Sequence, residues 1–383
     1  MYLGLALVTL VFLYVTIAKR RWLWFQWTSF LAHCGITSAQ LRLAFYHHAD
    51  DESRNDDEAH KWFLKAAQKG NVEAQCALAE TYDQGRGVIQ NMAECIKWYQ
   101  KAAEQGNAAA QLYVGRSYAE GQILPQNFAE AIKWLEKAAN QGNQRAFYLL
   151  AELYANSQGA ERDFQTAAKW YRLAADSGDF RAELALADMY VQGRGVPQNH
   201  REAIRLYQRA AIQGSPLAQF RLAQLLADGS TPTTPEERTK AQYELAQMYL
   251  QGKIVPADPV EATRWLLQAA EAGHLNSQSQ LAKMYMEGRH TIQNYPEAIK
   301  WLTKSAEQND AEAQFNLANA FAEGLGVPSD IVEAYMWCNL AAVSGKQEVV
   351  KFREKLGHSM TQPQIREAQD RSAARLALGR HSP

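Results

Sequence analysis

One 36-residue motif, repeated along the chain, limits what this sequence can fold into. The stretch from Ala182 to Leu217 reads AELALADMYVQGRGVPQNHREAIRLYQRAAIQGSPL, and stretches starting 36 residues apart at Ala146, Ala110 and Ala74 carry the same skeleton. A period in the range of about 20–50 residues marks stacked supersecondary units. One such unit cannot bury its own apolar face, but stacked neighbours can.

Within the motif, Leu186, Ala187 and Tyr190 recur at helical spacing. Gly193 and Gly195 stop that helix, because glycine tolerates the left-handed backbone of a helix end. Pro197 forces an extended step, and Asn199 is placed to cap a second helix. There Ala203, Tyr207, Ala210 and Ala211 repeat at helical spacing, and Gly214 closes the unit. The spacing predicts a helix-turn-helix whose contact face of small residues lets two backbones approach closely.

Units begin at Ala39, Ala74, Ala110, Ala146, Ala182, Ala241, Ser277 and Ala313. Their second helices share a tryptophan column, Trp62, Trp98, Trp134, Trp170, Trp265, Trp301 and Trp337, with Leu206 in the fifth unit. Pairs of small residues recur beside it, from Ala66-Ala67 to Ala341-Ala342. The stretch 218–240 breaks the pattern. Its first helix runs to Ala227, Gly229-Ser230-Thr231-Pro232-Thr233-Thr234-Pro235 follows, and most of a second helix is missing. Either this is a hinge between five units (39–217) and three (241–348), or it is a deletion around which the neighbours repack. Residues 349–383 are expected to cap the array. Val349 to Leu356 reads as a helix, and Thr361 with Pro363 starts another that runs to about Leu378. Ile365, Ala368, Ala373 and Leu376 are its expected apolar side.

Met1 to Ala18 carries no charged side chain, and Lys19, Arg20, Arg21, Trp22, Trp24 and Trp27 come close behind. A helix of that length spans about 27 Å, the short end of what crosses a bilayer. Positive charge after the apolar run places that side in the cytoplasm. A cleaved signal peptide would have the opposite order. The expectation is a single-pass inner-membrane anchor (1–18) and a juxtamembrane segment (19–38), with the repeats cytoplasmic; the alternative is a periplasmic location. Residues Trp22 to His33 suit a helix lying along the membrane surface.

The balance of charge, a net −1 over 383 residues, gives no basic excess for nucleic acid. The GRGV turns at Gly85 and Gly193 lack the Gly-Lys-Ser/Thr ending of a phosphate loop and join two helices. His47, His48, Asp50, Asp51 and Glu52 offer metal-ligand types, but they fall at a turn followed by Asp56 and Asp57, which reads as a solvated acidic loop. Cys34, Cys76, Cys95 and Cys338 have no regular spacing. In a reducing compartment they are small apolar residues with free thiols; in the periplasm Cys76 and Cys95 would be close enough to consider as a bond. No Ser/Lys, Ser/His or Cys/His set stands out. The chain is expected to need no cofactor or metal and to catalyse no reaction.

The columns Leu78-Ala79, Tyr82, Gly85, Gly87-Val88, Asn91, Trp98-Tyr99, Ala102-Ala103 and Gly106-Asn107 resemble the Sel-one-like repeat, a relative of the tetratricopeptide repeat. The resemblance covers about residues 39–346. It implies an all-α, right-handed α-solenoid that serves as an adaptor or scaffold for other proteins, with no shared catalytic residues. Gly87 is replaced by Ile123, Ile254 and His290 in other units, so those turns are expected to differ in path.

In tetratricopeptide-like stacks the first helices line the concave surface. Positions off the buried Leu-Ala-Tyr side of those helices are therefore candidates for a partner groove: Tyr148 with Glu152, Leu184 with Asp188, Phe220 with Gln224, and Tyr243 with Gln247. Aromatic side chains open to a groove anchor peptides and helices. The opposite possibility is that tight packing buries these rings as core. The expected role is a membrane-anchored adaptor that binds an unidentified protein or peptide segment. The alternative is an exported envelope protein that binds cell-wall or exopolysaccharide components.

Overall fold

The computed structural model describes residues 23–49, 54–156 and 162–379. The anchor segment Met1–Ala18, Lys19–Trp22, and the turn residues Asp50, Asp51 and Glu52 lie outside the described residues. Among the described residues there is no strand, and no helix is long and apolar enough to cross a membrane.

The chain divides into two compact units, one ending at Gln198 and the other starting at Asn199. In the first, helix α1 covers residues 23–33. It is followed by α2 (Thr37–Ala49), α3 (Asp56–Gln68), α4 (Val72–Gln84), α5 (Met92–Glu104), α6 (Ala108–Glu120), α7 (Phe128–Asn140), α8 (Gln144–Asn156), α9 (Phe164–Asp176) and α10 (Phe180–Gln192). Pairs α2–α3, α4–α5, α6–α7 and α8–α9 are the predicted hairpins, and each second helix packs on the next first helix. The second unit holds α11 (His200–Ile212), α12 (Pro216–Ala227), α13 (Pro235–Gln251), α14 (Pro259–Glu271), α15 (Leu275–Glu287), α16 (Tyr295–Glu307), α17 (Ala311–Glu323) and α18 (Ile331–Ala341). Two closing helices follow, α19 (Gln347–His358) and α20 (Gln362–Gly379). The division falls between the two helices of the fifth repeat, not at the break near Pro232.

Helix boundaries follow from capping. Asn91, Asn127, Asn199 and Asn294 each accept a backbone N–H in the first turn of a second helix. Asn71, Asn107 and Ser215 do the same for first helices. Satisfying an orphan donor in this way is worth about 1 kcal/mol per cap. The second glycine of the turn has a separate task. Gly195 sits at φ +68°, and a Cβ there would stand 2.1 Å from the Phe164 carbonyl oxygen. The turn thus rests directly on the start of the preceding repeat's second helix. His290 keeps the same left-handed backbone (φ 66°), whereas Ile123 and Ile254 do not.

The core is built from the predicted columns. The paired small residues are buried except Ala211 and Ala342, which are half-buried, and Leu78, Leu150, Leu186, Leu245, Leu281 and Leu317 are buried on first helices. Trp62, Trp98, Leu206, Trp265, Trp301 and Trp337 are buried on second helices, whereas Trp134 and Trp170 of the same column are half-buried. A polar clamp runs beside this apolar seam. Gln75 Nε2 donates to the Ala67 carbonyl (3.2 Å) and Gln75 Oε1 accepts from Gln105 Nε2 (2.8 Å). Gln111 repeats this with Ala103 (3.1 Å) and Gln141 (2.8 Å), and Gln278 with Ala270 (3.0 Å) and Gln308 (2.8 Å).

At the break, α12 packs straight onto α13. The capping box of Thr234 and Glu237 starts α13 early, so it runs 17 residues where most helices run 13. Phe220, Ala223 and Ala227 join Ala241 and Leu245 in one core, and Gln242 Nε2 donates to the Ala227 carbonyl across the gap (3.2 Å). The neighbours close over the missing helix.

The closing helix α20 packs by only part of the expected face, with Ile365 half-buried. Ala368 and Ser372 are buried, while Ala373 and Leu376 are exposed. The reason is polar. Ser372 Oγ donates to the Ala368 carbonyl (2.7 Å), Arg371 pairs with Glu333 (2.5 Å), and Arg375 covers the Trp337 ring at 4.4 Å.

Candidate partner-binding faces

The candidate residues fall in both units and do not share one fate. In the first unit Tyr148 is half-buried on α8. Its hydroxyl donates to Glu152 Oε1 (2.8 Å), its edge meets Tyr171 (5.9 Å between centroids), and Arg181 covers its face at 4.2 Å. Arg181 is in turn held by Asp179 (2.7 Å). Burial works against the Asp179 charge, but the hydrogen bonds from Arg181 and from the backbone outweigh it, so the carboxyl sits below the ordinary range. Burial, then the bond to Glu152, raises the Tyr148 phenol, which stays neutral. A shallow cavity of ≈ 480 Å³ opens beside Asp179 and Arg181, lined also by Gln144, Arg145 and Phe180. Leu184 and Asp188 are half-buried on α10, and Asp188 lines a second cavity of ≈ 380 Å³ with Tyr171, Gln192 and Arg194.

In the second unit Phe220 corrects the groove expectation. It is only 6% exposed and meets Tyr249 edge-on at 5.7 Å, because α12 lacks a helix of its own and α13 closes on it. Gln224 is half-buried and accepts from Arg221 (3.3 Å). Gln247 is half-buried, and its buried Nε2 has no hydrogen-bond partner among the described residues.

Tyr243 is half-buried and borders a cavity of ≈ 600 Å³ that the first helices α13, α15 and α17 open together. Its ring lies 5.2 Å from His274, whose imidazole caps α15 and is held neutral by burial. The cavity floor is polar. Asp310 Oδ2 accepts from Ser279 Oγ (2.6 Å) and Ser305 Oγ (2.9 Å), and Asp310 Oδ1 caps α17. Burial raises the Asp310 carboxyl, but these bonds outweigh it and leave it below the ordinary carboxylate range. Asn276, Gln280, Lys283 and Asn316 line the walls. Lys283 and Ser279 stand in the same columns as Tyr243 and Gln247. Asp310 and Asn316 were not read as site residues, although Asp310 occupies the capping position of its unit.

No group of His, Cys, Asp and Glu among the described residues is placed to hold a metal ion. His47 and His48 end α2, and Asp56 and Asp57 form the first turn of α3, where the helix dipole favours acids. Gly85 and Gly193 are left-handed helix C-caps, not phosphate loops. The four cysteines are free, and burial pushes the Cys76 and Cys95 thiols up to about 11.

Repeating hairpins, alanine-lined contacts and open first-helix faces define a helical repeat solenoid of the kind that binds other proteins. The Sel1 repeat family matches at residues 37–71, 72–107, 108–143, 145–179, 181–215, 216–237, 239–274, 275–310 and 311–345, and the chain belongs to that family. Sel1 repeat proteins generally mediate protein–protein interaction. Among solved structures, the chain is similar to a protective antigen of uropathogenic Escherichia coli strains that displays an SLR fold. The identity is 29%, covering 92% of this chain and 86% of that one, with a TM-score of 0.54. A Sel1 repeat protein from Oxalobacter formigenes is 29% identical over 87% of this chain and 90% of that one, with a TM-score of 0.44. The cysteine-rich protein B of Helicobacter pylori is 23% identical, covers 34% of this chain and 92% of its own, and has a TM-score of 0.28. No curated protein matches the chain.

Proposed function

We propose that the chain is a non-enzymatic, membrane-anchored adaptor that holds a segment of another protein on its first-helix faces. The cavity of α13, α15 and α17 carries this reading. It combines an aromatic wall (Tyr243), an exposed cation (Lys283) and amide side chains (Asn276, Gln280, Asn316), all at an open surface. Such a lining suits an extended or helical segment that offers an acidic or polar side chain beside an apolar one. The anchor at Met1–Ala18, with Lys19, Arg20 and Arg21 behind it, puts the repeats on the cytoplasmic side of the inner membrane. Crosslinked co-purification of the full-length protein from its own membranes tests the site. A protein recovered with wild type and lost with a folded Tyr243→Ala/Lys283→Glu variant is the expected result. Equal recovery by both overturns the assignment of this cavity.

A second reading, an exported envelope protein binding wall or exopolysaccharide components, is favoured by the similarity to a protective antigen. Sidedness separates the two. Cys34 is exposed, so a membrane-impermeant maleimide reports it. Labelling in cells with only the outer membrane opened supports export, and labelling only after the inner membrane is opened supports the adaptor.

A further inference from the structure

Helix α1 has two dissimilar faces. One is fixed to the repeats. Thr28 and Ala32 are buried, Gln40 Nε2 donates to the Ala32 carbonyl (3.1 Å), and Phe25 packs on Tyr46 at 5.0 Å. His33 meets the Trp62 ring edge-on at 4.9 Å. The other face is apolar and open. Leu23, Trp24, Trp27 and Phe30 are 52%, 42%, 64% and 58% exposed, and Trp27 stacks on Phe30 at 5.8 Å. Residues 23–33 include no Asp, Glu, Lys or Arg.

We infer that this face of α1 lies in the interfacial layer of a phospholipid membrane, clamping the first repeat to the bilayer surface. The inference rests on the membrane-anchored reading above and specifies how the repeat body is held. Three observations select lipid over a protein partner. Two of the four side chains are tryptophan, which favours the headgroup boundary, with Phe and Leu beside them to enter the acyl region. The sequence just before the helix is Lys19-Arg20-Arg21, complementary to anionic headgroups, preceded by 18 residues with no charge. A helix of this length is about 16 Å long, too short to cross a bilayer and suited to lying along it. Because the opposite face is packed into the repeats, the contact fixes the orientation of the first unit instead of leaving it on a tether.

The test places an environment-sensitive fluorophore on a cysteine at position 30 (Phe30→Cys, with Cys34, Cys76, Cys95 and Cys338 replaced by Ala or Ser) in the full chain. The protein is reconstituted with phosphatidylethanolamine–phosphatidylglycerol vesicles that contain nitroxide-labelled lipid. A probe at Ile292→Cys, 87% exposed in a turn of the second unit, is the control. Flotation reads membrane association, alkaline extraction reads the anchor, and quenching reads the α1 contact. The expected result is a blue-shifted probe at position 30 that loses most of its emission to the nitroxide, with the control unquenched. Floating protein that resists extraction but keeps its emission at position 30 overturns the α1 contact and leaves the anchor standing. Quenching in protein that alkali extracts supports the α1 contact and overturns the anchor. Protein that does not float overturns both. A probe that is blue-shifted, unquenched and crosslinkable between molecules overturns the lipid assignment in favour of a second copy.

Discussion

Two residues show how much single positions decide. Gly195 has a left-handed backbone and no room for a Cβ, which would stand 2.1 Å from the Phe164 carbonyl oxygen, whereas Gly214 has open space. Gly195→Ala is expected to cost about 3 kcal/mol or more, combining backbone strain with overpacking, and Gly214→Ala about 1 kcal/mol. Urea unfolding of the two variants measures the difference; equal midpoints would refute the close approach. Asp310 is the second case. Its folded carboxyl is held below its unfolded value of about 3.9. The stability this gives is present above that value and is lost as pH falls through the folded pKa. Asp310→Asn should therefore be less stable than wild type at pH 7 by about 1 kcal/mol, with the gap closing as pH falls below the unfolded value. A gap independent of pH would assign the loss to capping alone. The helix-stopping role of Gly193 was legible because Gly, Pro and Asn punctuate any helix. The different fates of Tyr148 and Phe220 were not, since both occupy the same column. What separates them is the missing helix after α12, which brings Tyr249 onto Phe220.

At the scale of helices, the apolar seam was readable from period alone, but the glutamine clamp beside it was not. Gln40, Gln75, Gln111, Gln242, Gln278 and Gln314 follow the buried small residue at the start of six of the eight units; Phe147 and Glu183 stand there in the other two. The partners of the glutamines are backbone carbonyls of the preceding helix and glutamines 30 residues on in three repeats. A hydrophobicity pattern does not register such pairs. Gln111→Met keeps the length of the side chain but removes its hydrogen bonds to the Ala103 carbonyl, which keeps the Gly106 amide, and to Gln141, which keeps a longer contact with the Lys137 carbonyl. The expected cost is about 2 kcal/mol, because two hydrogen bonds of about 1 kcal/mol each are lost. The double variant with Gln141→Met should cost less than the sum of the singles by about 1 kcal/mol. Strict additivity in chemical unfolding would mean that the two glutamines do not act as one clamp. The C-terminal half of the α20 face, Ala373 and Leu376, departs from expectation for a related reason. Arg375 and Ser372 look solvated in sequence, yet one covers Trp337 and the other bonds the Met336 carbonyl.

For the whole molecule, the repeat predicted an array in which each hairpin leans on its neighbours, and the described helices follow that order along each unit. Where the array divides was not legible. The sequence breaks near Pro232, but the core runs through that point, and the division comes after Gln198. The reason is that a lost helix is replaced by direct packing, which leaves no gap in the buried surface. Stability in such an array is a sum of local terms and nearest-neighbour interfaces, so damage at one end should stay there. A chain ending at Met360 lacks α20 and uncovers Trp337, the Met336 carbonyl and the Glu333 side of α18. Amide hydrogen exchange in this variant should accelerate in α18, and to a smaller degree in α17, while α2 to α9 keep their protection. Faster exchange throughout would mean that the array unfolds as a single cooperative body. Unchanged exchange in α18 would mean that α19 alone suffices as the cap. The expected gradient follows from the contacts of α20, which fall mainly on α18, with Arg375 reaching Glu307 at the end of α16 (3.9 Å).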